Sequence, residues 1–156
     1  MNDQIVIRRA TESDWEDAMA VAWKVFKKYE APVYPKRGVE SFLEFITDNR
    51  LFKMFKIGEY HMWVALYNEE IVGLVSMRMK HHLSLLFVAG EYHRQGIGSA
   101  LMEEVFKHIK DVEGQDYCTV NAAPFGIPFY ESLGFIVTGE EEISDGMIIV
   151  PMRKGL

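Results

Sequence analysis

Apolar positions along the first third of the chain follow one spacing typical of strands and one typical of helices. Ile5–Arg9 alternates and is β-branched, which predicts a first strand. Apolar residues over Trp15–Tyr29 recur at helical spacing and predict an amphipathic helix. Residues 39–46 place their apolar side chains on one face and predict a second helix, whereas residues 51–57 fit either a helix or a loop.

Three strand-like runs occupy the middle of the chain. Tyr60–Tyr67 and residues 71–80 are joined by a turn of hairpin length, so we expect them to pair antiparallel. Residues 83–88 are almost continuously apolar, which is typical of a central strand covered on both faces. Three strands without an intervening helix argue against a purely parallel, doubly wound fold.

The remaining pattern completes a mixed architecture. Residues 90–98 break regular structure, residues 99–112 resume a helical period, and residues 117–121 predict another strand. A helix interrupted by Pro and Gly then extends to about Leu133, and strands are expected at residues 135–137 and 147–152. We therefore predict one domain, residues 1–156, of the mixed α/β (α+β) class. Its central sheet is mostly antiparallel, with helices on both faces.

Composition narrows the function only a little. The 156 residues are 49% hydrophobic and 26% charged with a net charge of -6, as in ordinary globular proteins, so no nucleic-acid partner is expected. The single cysteine, Cys118, fits a small buried residue of a strand better than a nucleophile, and no paired-cysteine metal pattern surrounds it. The start lacks a secretory signal and no apolar run approaches ~20 residues, so we expect a cytoplasmic protein without membrane contact.

A glycine-containing loop separates the apolar strand from the following helix. The first turn of a helix leaves backbone N–H groups unpaired, and Gly96 and Gly98 would let an anion approach them closely. Arg94 can add a charge-assisted hydrogen bond. From this loop alone, a phosphate site and a ligand-free turn remain equally open. Neither the dinucleotide fingerprint nor the P-loop pattern is present.

Two segments of the chain resemble the GNAT N-acetyltransferase superfamily. The segment His93-Arg94-Gln95-Gly96-Ile97-Gly98, between a hydrophobic strand and a helix, is similar to that superfamily's acetyl-CoA loop. About thirty residues later, Tyr130-Glu131-Ser132-Leu133-Gly134-Phe135 resembles its Tyr-x-x-Leu-Gly-Phe motif. Two motifs in the expected order are more specific than either one alone. The resemblance implies the GNAT-like acyl-CoA N-acyltransferase fold, with acetyl-CoA as co-substrate and a homodimer.

The resemblance also assigns coenzyme-binding residues. Two positions depart from the pattern, since His93 replaces its first Gln or Arg and Ala123 stands where an Asn is frequent. Asn121 either serves the coenzyme from another position or caps its strand. By resemblance, the pantetheine arm pairs with Leu86, Phe87 and Val88, and the pyrophosphate contacts the loop that starts at His93, through the amides of Arg94, Gln95, Gly96, Ile97, Gly98 and Ser99.

Acetyl transfer to an amine requires a proton acceptor, donors for an oxyanion and a proton for the leaving thiolate. Tyr130 matches the family's general acid, the alternative being a core tyrosine. Val88 is the expected backbone donor. His82 occupies the strand position where some members carry a glutamate base, although it also fits a solvated strand edge. Glu59 and His61 are weaker candidates for the proton acceptor.

The acceptor itself stays open at this stage. The resemblance places one wall of its cleft on the first two helices, where Trp23, Phe26, Tyr29 and Tyr34 could line it or belong to the core. The expected reaction is acetyl transfer to a primary amine of a small molecule or peptide. The alternatives are a non-catalytic acyl-CoA-binding regulatory module, which the two departures from the pattern favour, and a phosphate-binding structural domain without coenzyme.

Overall fold

The computed structural model describes residues 2–156, and its centre is an eight-stranded sheet. Every neighbouring pair is antiparallel except β4 and β5, which are parallel. The spatial order is β1-β2-β3-β4-β5-β8-β6, and β7 pairs with β8. The strands are β1 (Ile5–Arg9), β2 (Tyr60–Tyr67), β3 (Glu70–Arg78), β4 (His82–Val88), β5 (Tyr117–Ala122), β6 (Ile136–Val137), β7 (Glu142–Ser144) and β8 (Met147–Gly155).

Helices cover both faces of this sheet, as the sequence predicts. One face packs against α1, α2 and α3 around the fully buried Phe26, and the other packs against α4 and α5 around Leu101 and Ile109. No helix within residues 2–156 is both long and apolar enough to cross a membrane. The helices are α1 (Trp15–Tyr29), α2 (Lys36–Thr47), α3 (Asn49–Lys56), α4 (Ile97–Asp111) and α5 (Ile127–Ser132).

A β-bulge in β4 reverses the face of the sheet on which the following side chains of that strand lie. The register between β3 and β4 shifts after Ser76, which leaves Ser84 as the extra residue. Leu83 therefore packs with the α4 face, although Leu85, two residues on, packs with the α1 face. A regular strand would place both side chains on the same side.

Buried hydroxyl groups satisfy the polar atoms that the bulge leaves without ladder partners. The Tyr60 hydroxyl lies 2.7 Å from Ser76 Oγ and donates to Ser84 Oγ at 2.8 Å. The Leu85 amide donates to Ser76 Oγ at 3.1 Å in place of a backbone carbonyl. This network holds the bend of β4 in one geometry, because an unpaired buried polar group would cost about 1–3 kcal/mol.

Beyond the bulge, β4 and β5 separate. Their parallel pairing consists of His82 opposite Thr119 and Leu83 opposite Val120. Residues 84–88 of β4 therefore have no partner on the β5 side, and the two strands form a V that opens toward the start of α4. Because backbone N–H and C=O groups need partners, this open edge is available to a ligand.

The structure extends several predicted elements and adds one. The ambiguous residues 51–57 belong mostly to α3, whose N-cap Asp48 accepts a hydrogen bond from the Arg50 amide. α4 begins at Ile97, two residues before the apolar period indicated. β8 runs on to Gly155, and the short β7 was missed because its three residues are all exposed and carry no burial pattern.

The hairpin of β7 and β8 crosses to the first helical layer and docks on α2. The backbones of Gly38 and Gly146 touch so closely that a Cβ at Gly38 would overlap the Gly146 carbonyl oxygen. Ser41 Oγ donates to the Asp145 carbonyl at 2.6 Å, and the Tyr34 hydroxyl donates to the Ile148 carbonyl at 3.3 Å. The hairpin is thereby fixed against α2 and the segment before it.

Replacing Gly38 by Ala tests this close contact. Alanine favours a helix over glycine by about 1 kcal/mol, but overpacking against a rigid backbone costs about 1–3 kcal/mol. We expect G38A to lower the free energy of unfolding by about 1 kcal/mol or more in urea titrations. Gly155→Ala is the control, since its Cβ would meet no atom within 4 Å. Equal stability of the two variants would contradict the docking.

Candidate active site

A cleft of about 560 Å³ fills the V between β4 and β5 and continues under the β7–β8 hairpin. Its floor is the unpaired edge of β4, its mouth is the loop before α4, and its far wall comes from the ends of α1 and α5. The residues that define these parts are Tyr29, Glu30, Tyr34, residues 84–88, Arg94, residues 96–99, residues 120–123, Tyr130 and residues 147–149.

The loop at the mouth presents backbone N–H groups to the cleft. Arg94 and Gly96 both adopt left-handed conformations, with φ of 62° and 80°. Gly96 is the N-cap of α4 and supplies no side-chain cap, and its carbonyl first accepts from the Ala100 amide at 3.0 Å. The amides of residues 97–99 therefore lack helical partners, and a Cβ on Gly96 would meet nothing within 4 Å. This geometry suits a phosphate group.

His93 takes a different position from the one expected of a phosphate ligand. Its Nε2 atom donates to the Val88 carbonyl at 2.6 Å, and its ring packs on Tyr29 with 5.0 Å between ring centroids. The side chain thus satisfies the Val88 carbonyl at the end of β4 and packs the loop against α1. Arg94, which is exposed at the mouth, is the cation left to face an anion.

Most of the predicted coenzyme residues meet in this cleft. Gln95 is the exception. It does not line the cleft, and its Nε2 atom donates to the Glu91 carbonyl at 3.5 Å. The prediction for Gln95 rests on the loop motif alone. The motif does not show that the chain turns outward between Arg94 and Gly96. The residues that do line the cleft are Leu86, Phe87, Val88, His93, Arg94, Gly96, Ile97, Gly98, Ser99, Asn121 and Tyr130.

Tyr130 stands on α5 beside the vertex of the V. Its side chain is 8% exposed and its ring packs on Phe129 and Phe135. The hydroxyl forms no hydrogen bond within residues 2–156. It is not one of the fully buried polar atoms without a partner, so it faces the cleft that Tyr130 lines. Burial, together with the negative charge of Glu30, raises the pKa of this phenol, which keeps it protonated as a hydrogen-bond donor.

His82 does not reach the cleft, and the prediction that it accepts a proton from substrate is not supported. Its Nδ1 lies 2.8 Å from Thr119 Oγ1, at the closed end of the V, and the residue is 8% exposed. Burial and then the charge of Arg78 lower the pKa of His82 to about 4, so the imidazole is a weak base. Its place is structural: it ties β4 to β5 where they still pair.

The free amides of β4 point into the cleft at alternate residues. Since the amides of Leu85 and Ala89 bond toward β3, those of Leu86 and Val88 face the gap. Val88 lies at the mouth beside His93, whereas Leu86 is two residues closer to the vertex. The sequence predicts Val88 as this donor but does not show that the bulge is at Ser84.

Glu30 is the functional candidate that sequence reasoning missed. It is the C-cap of α1, and within residues 2–156 it is the only carboxylate that lines the cleft and has no hydrogen-bond or ion-pair partner. Burial raises the pKa of Glu30 to about 7, and its charge contributes to raising the pKa of Tyr34 and Tyr130. The sequence did hold one indication of a role for Glu30: it places a carboxylate at a helix C-terminus, where the helix dipole favours cations.

The remaining candidates lie outside the cleft or in the core. Burial raises the pKa of Cys118 to about 12, which excludes a thiolate at neutral pH. Glu59 is exposed in a turn, and His61 belongs to a cluster at the end of α4 in which the Arg9 guanidinium donates to its Nδ1 at 3.1 Å. Of the four aromatic residues expected in the acceptor cleft, Tyr29 and Tyr34 line it, Phe26 is fully buried, and Trp23 lines a separate depression.

Comparisons with known proteins agree with this architecture. Residues 30–156 match a family model described as an acetyltransferase (GNAT) domain. The uncharacterised N-acetyltransferase YafP of Escherichia coli K12 is 26% identical over 141 residues, which are 90% of this chain and 87% of that protein. A crystal structure of a GCN5-related N-acetyltransferase from Rhodopseudomonas palustris superposes with a TM-score of 0.85 at 19% identity, covering 100% of this chain and 98% of that one.

A second solved structure is similar over its whole length. The PaiA N-acetyltransferase of Thermoplasma acidophilum, crystallised in complex with coenzyme A, superposes with a TM-score of 0.79 at 23% identity, covering 100% of both chains. At these identities the two superpositions show a shared fold.

The perturbed carboxyl of Glu30 predicts how stability depends on pH. Its pKa is about 7 in the fold against an ordinary value of 4.5, so the folded state binds more protons between those values and stability falls as pH rises through this window. Glu30→Gln removes the effect. Allowing for partial exposure, we expect E30Q to be about 1–2 kcal/mol more stable than the natural chain at pH 8 and equally stable at pH 4.

Urea titrations at both pH values measure this difference. The control is Glu131→Gln, which removes an exposed carboxylate on α5 outside the cleft and should change neither value. A gain for E30Q at pH 4 as large as at pH 8 would show that the carboxyl is not titrating in this range.

Proposed function

The chain belongs to the GNAT acetyltransferase family, and on that premise we propose that it transfers the acetyl group of acetyl-coenzyme A to the nitrogen of a primary amine. The observation that carries the proposal is the V between β4 and β5, with the glycine loop at its mouth and the Tyr130 hydroxyl near its vertex. One cleft thus combines an anion-binding end, an unpaired strand edge and a protonated phenol. The PaiA structure of the same fold holds coenzyme A, which supports the choice of co-substrate.

The proposed coenzyme contacts follow from the polar groups that the cleft leaves free. The amides of residues 97–99, with the Arg94 side chain, would hold the diphosphate. The free edge of residues 84–88 would pair with the amide groups of the pantetheine arm, much as another strand would. The absence of side chains at Gly96 and Gly98 leaves space for the coenzyme, since a Cβ at Gly98 would already contact the Phe129 ring at 3.2 Å.

The proposed chemistry uses two groups near the vertex. When bound, acetyl-CoA supplies a thioester whose carbonyl carbon an amine can attack. The Leu86 amide, rather than that of Val88, would donate to the carbonyl oxygen as negative charge develops on it. The Tyr130 hydroxyl would donate to the departing sulfur. Its raised pKa keeps the hydroxyl protonated at neutral pH, so the proton is present to be donated.

The second candidate is a coenzyme-binding module without catalysis. It is favoured by the two departures from the family pattern, because His93 is turned to the Val88 carbonyl and Ala123 provides no amide side chain in the cleft. Such a module would bind coenzyme A but would release no thiol from acetyl-CoA with any amine. A chain without a coenzyme site would show no thermal shift, whereas binding at a hundredfold excess over Kd stabilises by about 2.7 kcal/mol.

Tyr130→Phe tests the catalytic role. Loss of a positioned proton donor lowers turnover about 100-fold, so we expect Y130F to show that drop in kcat for thiol release with an amine acceptor. Its Kd for acetyl-CoA in calorimetry should stay within about 3-fold, because the ring still fills its place among Phe129 and Phe135. Tyr117→Phe, on the far end of β5 outside the cleft, is the matched control and should retain full turnover. Unchanged kcat in Y130F would remove Tyr130 from the mechanism.

Gly96→Ala tests the diphosphate cradle. A methyl group there strains a backbone with φ of 80° and projects into the space left for the anion, so we expect Kd for coenzyme A to rise about tenfold. Gly58→Ala is matched, since Gly58 has φ of 83°, equally open surroundings and no place in the cleft. Both variants should lose similar stability, about 1 kcal/mol, but only G96A should lose coenzyme affinity. Equal affinity of the two variants would argue against the cradle.

A further inference from the structure

The acceptor end of the cleft has an apolar lining with one ionisable carboxyl. Between the vertex and the β7–β8 hairpin, its walls come from α1, the segment before α2, β4 and β8. Glu30 projects among these walls without a partner. The apolar and aromatic side chains around it are Val25, Tyr29, Tyr34, Phe42, Phe87, Met147 and Ile148.

The charges that face this space are few. Residues 84–88 of β4, Phe42 of α2 and residues 147–149 of β8 carry none. Tyr29 and Tyr34 flank Glu30, Tyr130 faces it from α5, and Lys27 and Lys28 of its own helix are exposed outside the lining. The cationic side of the cleft, with Tyr92, His93 and Arg94, lies at the mouth. A positive charge in the acceptor end therefore has one place to be neutralised.

We propose that Glu30 binds the ammonium group of a small, singly charged, apolar primary amine and accepts its proton for acetyl transfer. This inference rests on the proposed function and names the acceptor class for the same site. The aromatic and aliphatic walls would hold the hydrocarbon part of such an amine. A polyamine fits poorly, because its further ammonium groups would lie in an apolar lining without a counter-charge.

The proton balance of the step is complete with Glu30, Tyr130 and solvent. One ammonium proton passes to Glu30 and then to solvent, which leaves a neutral amine. The nitrogen forms a C–N bond with the thioester carbonyl carbon, and the C–S bond breaks with its electron pair on sulfur. Tyr130 gives its proton to the sulfur and regains one from the nitrogen, so the amide keeps the third proton.

The titration of Glu30 is consistent with this role. Burial holds its pKa at about 7, so a proton taken up at neutral pH is readily returned to solvent. A carboxylate in contact with an ammonium group would be favoured further in its charged form. The cost of burying Glu30 in the free protein is thereby offset only when a cation is bound.

The kinetic test compares acceptors and variants by thiol release from acetyl-CoA. We expect 3-methylbutylamine and 2-phenylethylamine to exceed spermidine in kcat/KM by about tenfold or more. E30Q should lower kcat/KM for these amines about 100-fold and lose the acidic limb near pH 7, while its Kd for acetyl-CoA stays within about 3-fold. E131Q should match the natural chain. Full turnover by E30Q, or a preference for spermidine, would overturn the inference.

A binding measurement separates failure of this inference from failure of the proposed function. The carboxyl carbon of Glu30, assigned by its loss from the NMR spectrum of E30Q, should titrate near pH 7 and shift on addition of 2-phenylethylamine. It should not respond to 2-phenylethanol, which has the same body without the charge. If no amine releases thiol but the carboxyl shows this response, catalysis fails and amine binding stands. If thiol is released but the carboxyl stays silent, the assignment of Glu30 is wrong.

Discussion

The separation of β4 from β5 is the constraint on which the rest of the structure depends. Two parallel strands normally satisfy each other's backbone groups, but here the pairing stops after Leu83 because the bulge at Ser84 bends β4 away. The bend is stable because the Tyr60 hydroxyl and the Ser76 side chain replace the missing ladder bonds inside the sheet. His82 and Thr119 hold the closed end. A cleft in the middle of a sheet, where packing would otherwise leave no space, follows from these few contacts.

The same separation explains why the binding groups are mostly backbone. An unpaired strand edge and the first turn of α4 both expose N–H groups that need partners, and they point into one space. Side chains matter chiefly where one is absent, as at Gly96, or where one hydrogen-bonds the backbone, as that of His93 does at Val88. An off-pattern residue such as His93 can therefore be accommodated, because it stabilises the loop without supplying the contact.

The elements with strong local signals were predictable, and those set by tertiary contacts were not. Periodicity placed β2 at its observed bounds and α4 within two residues, and the glycine loop indicated the mouth of the cleft. The bulge gave no signal, since Ser84 in an apolar run looks like any small residue. The expectation for His82 has the same limit: its position along the strand does not show that His82 lies where β4 and β5 still pair, outside the cleft lining. β7 was missed because its position depends on docking to α2 rather than on burial.

Glu30 shows how a residue that is costly to the fold points to function. A carboxylate at a helix C-terminus opposes the helix dipole, and its half-buried place among aromatic rings opposes its charge. Neither cost is relieved by a partner within residues 2–156, although Lys27 and Lys28 stand only a few residues away on the same helix. Nothing in the packing of α1 requires an acid there, because Val25 and Phe26 already fill the core beside it. The position is best explained by a cation that arrives with the ligand, and the docked hairpin keeps the space for that ligand apolar.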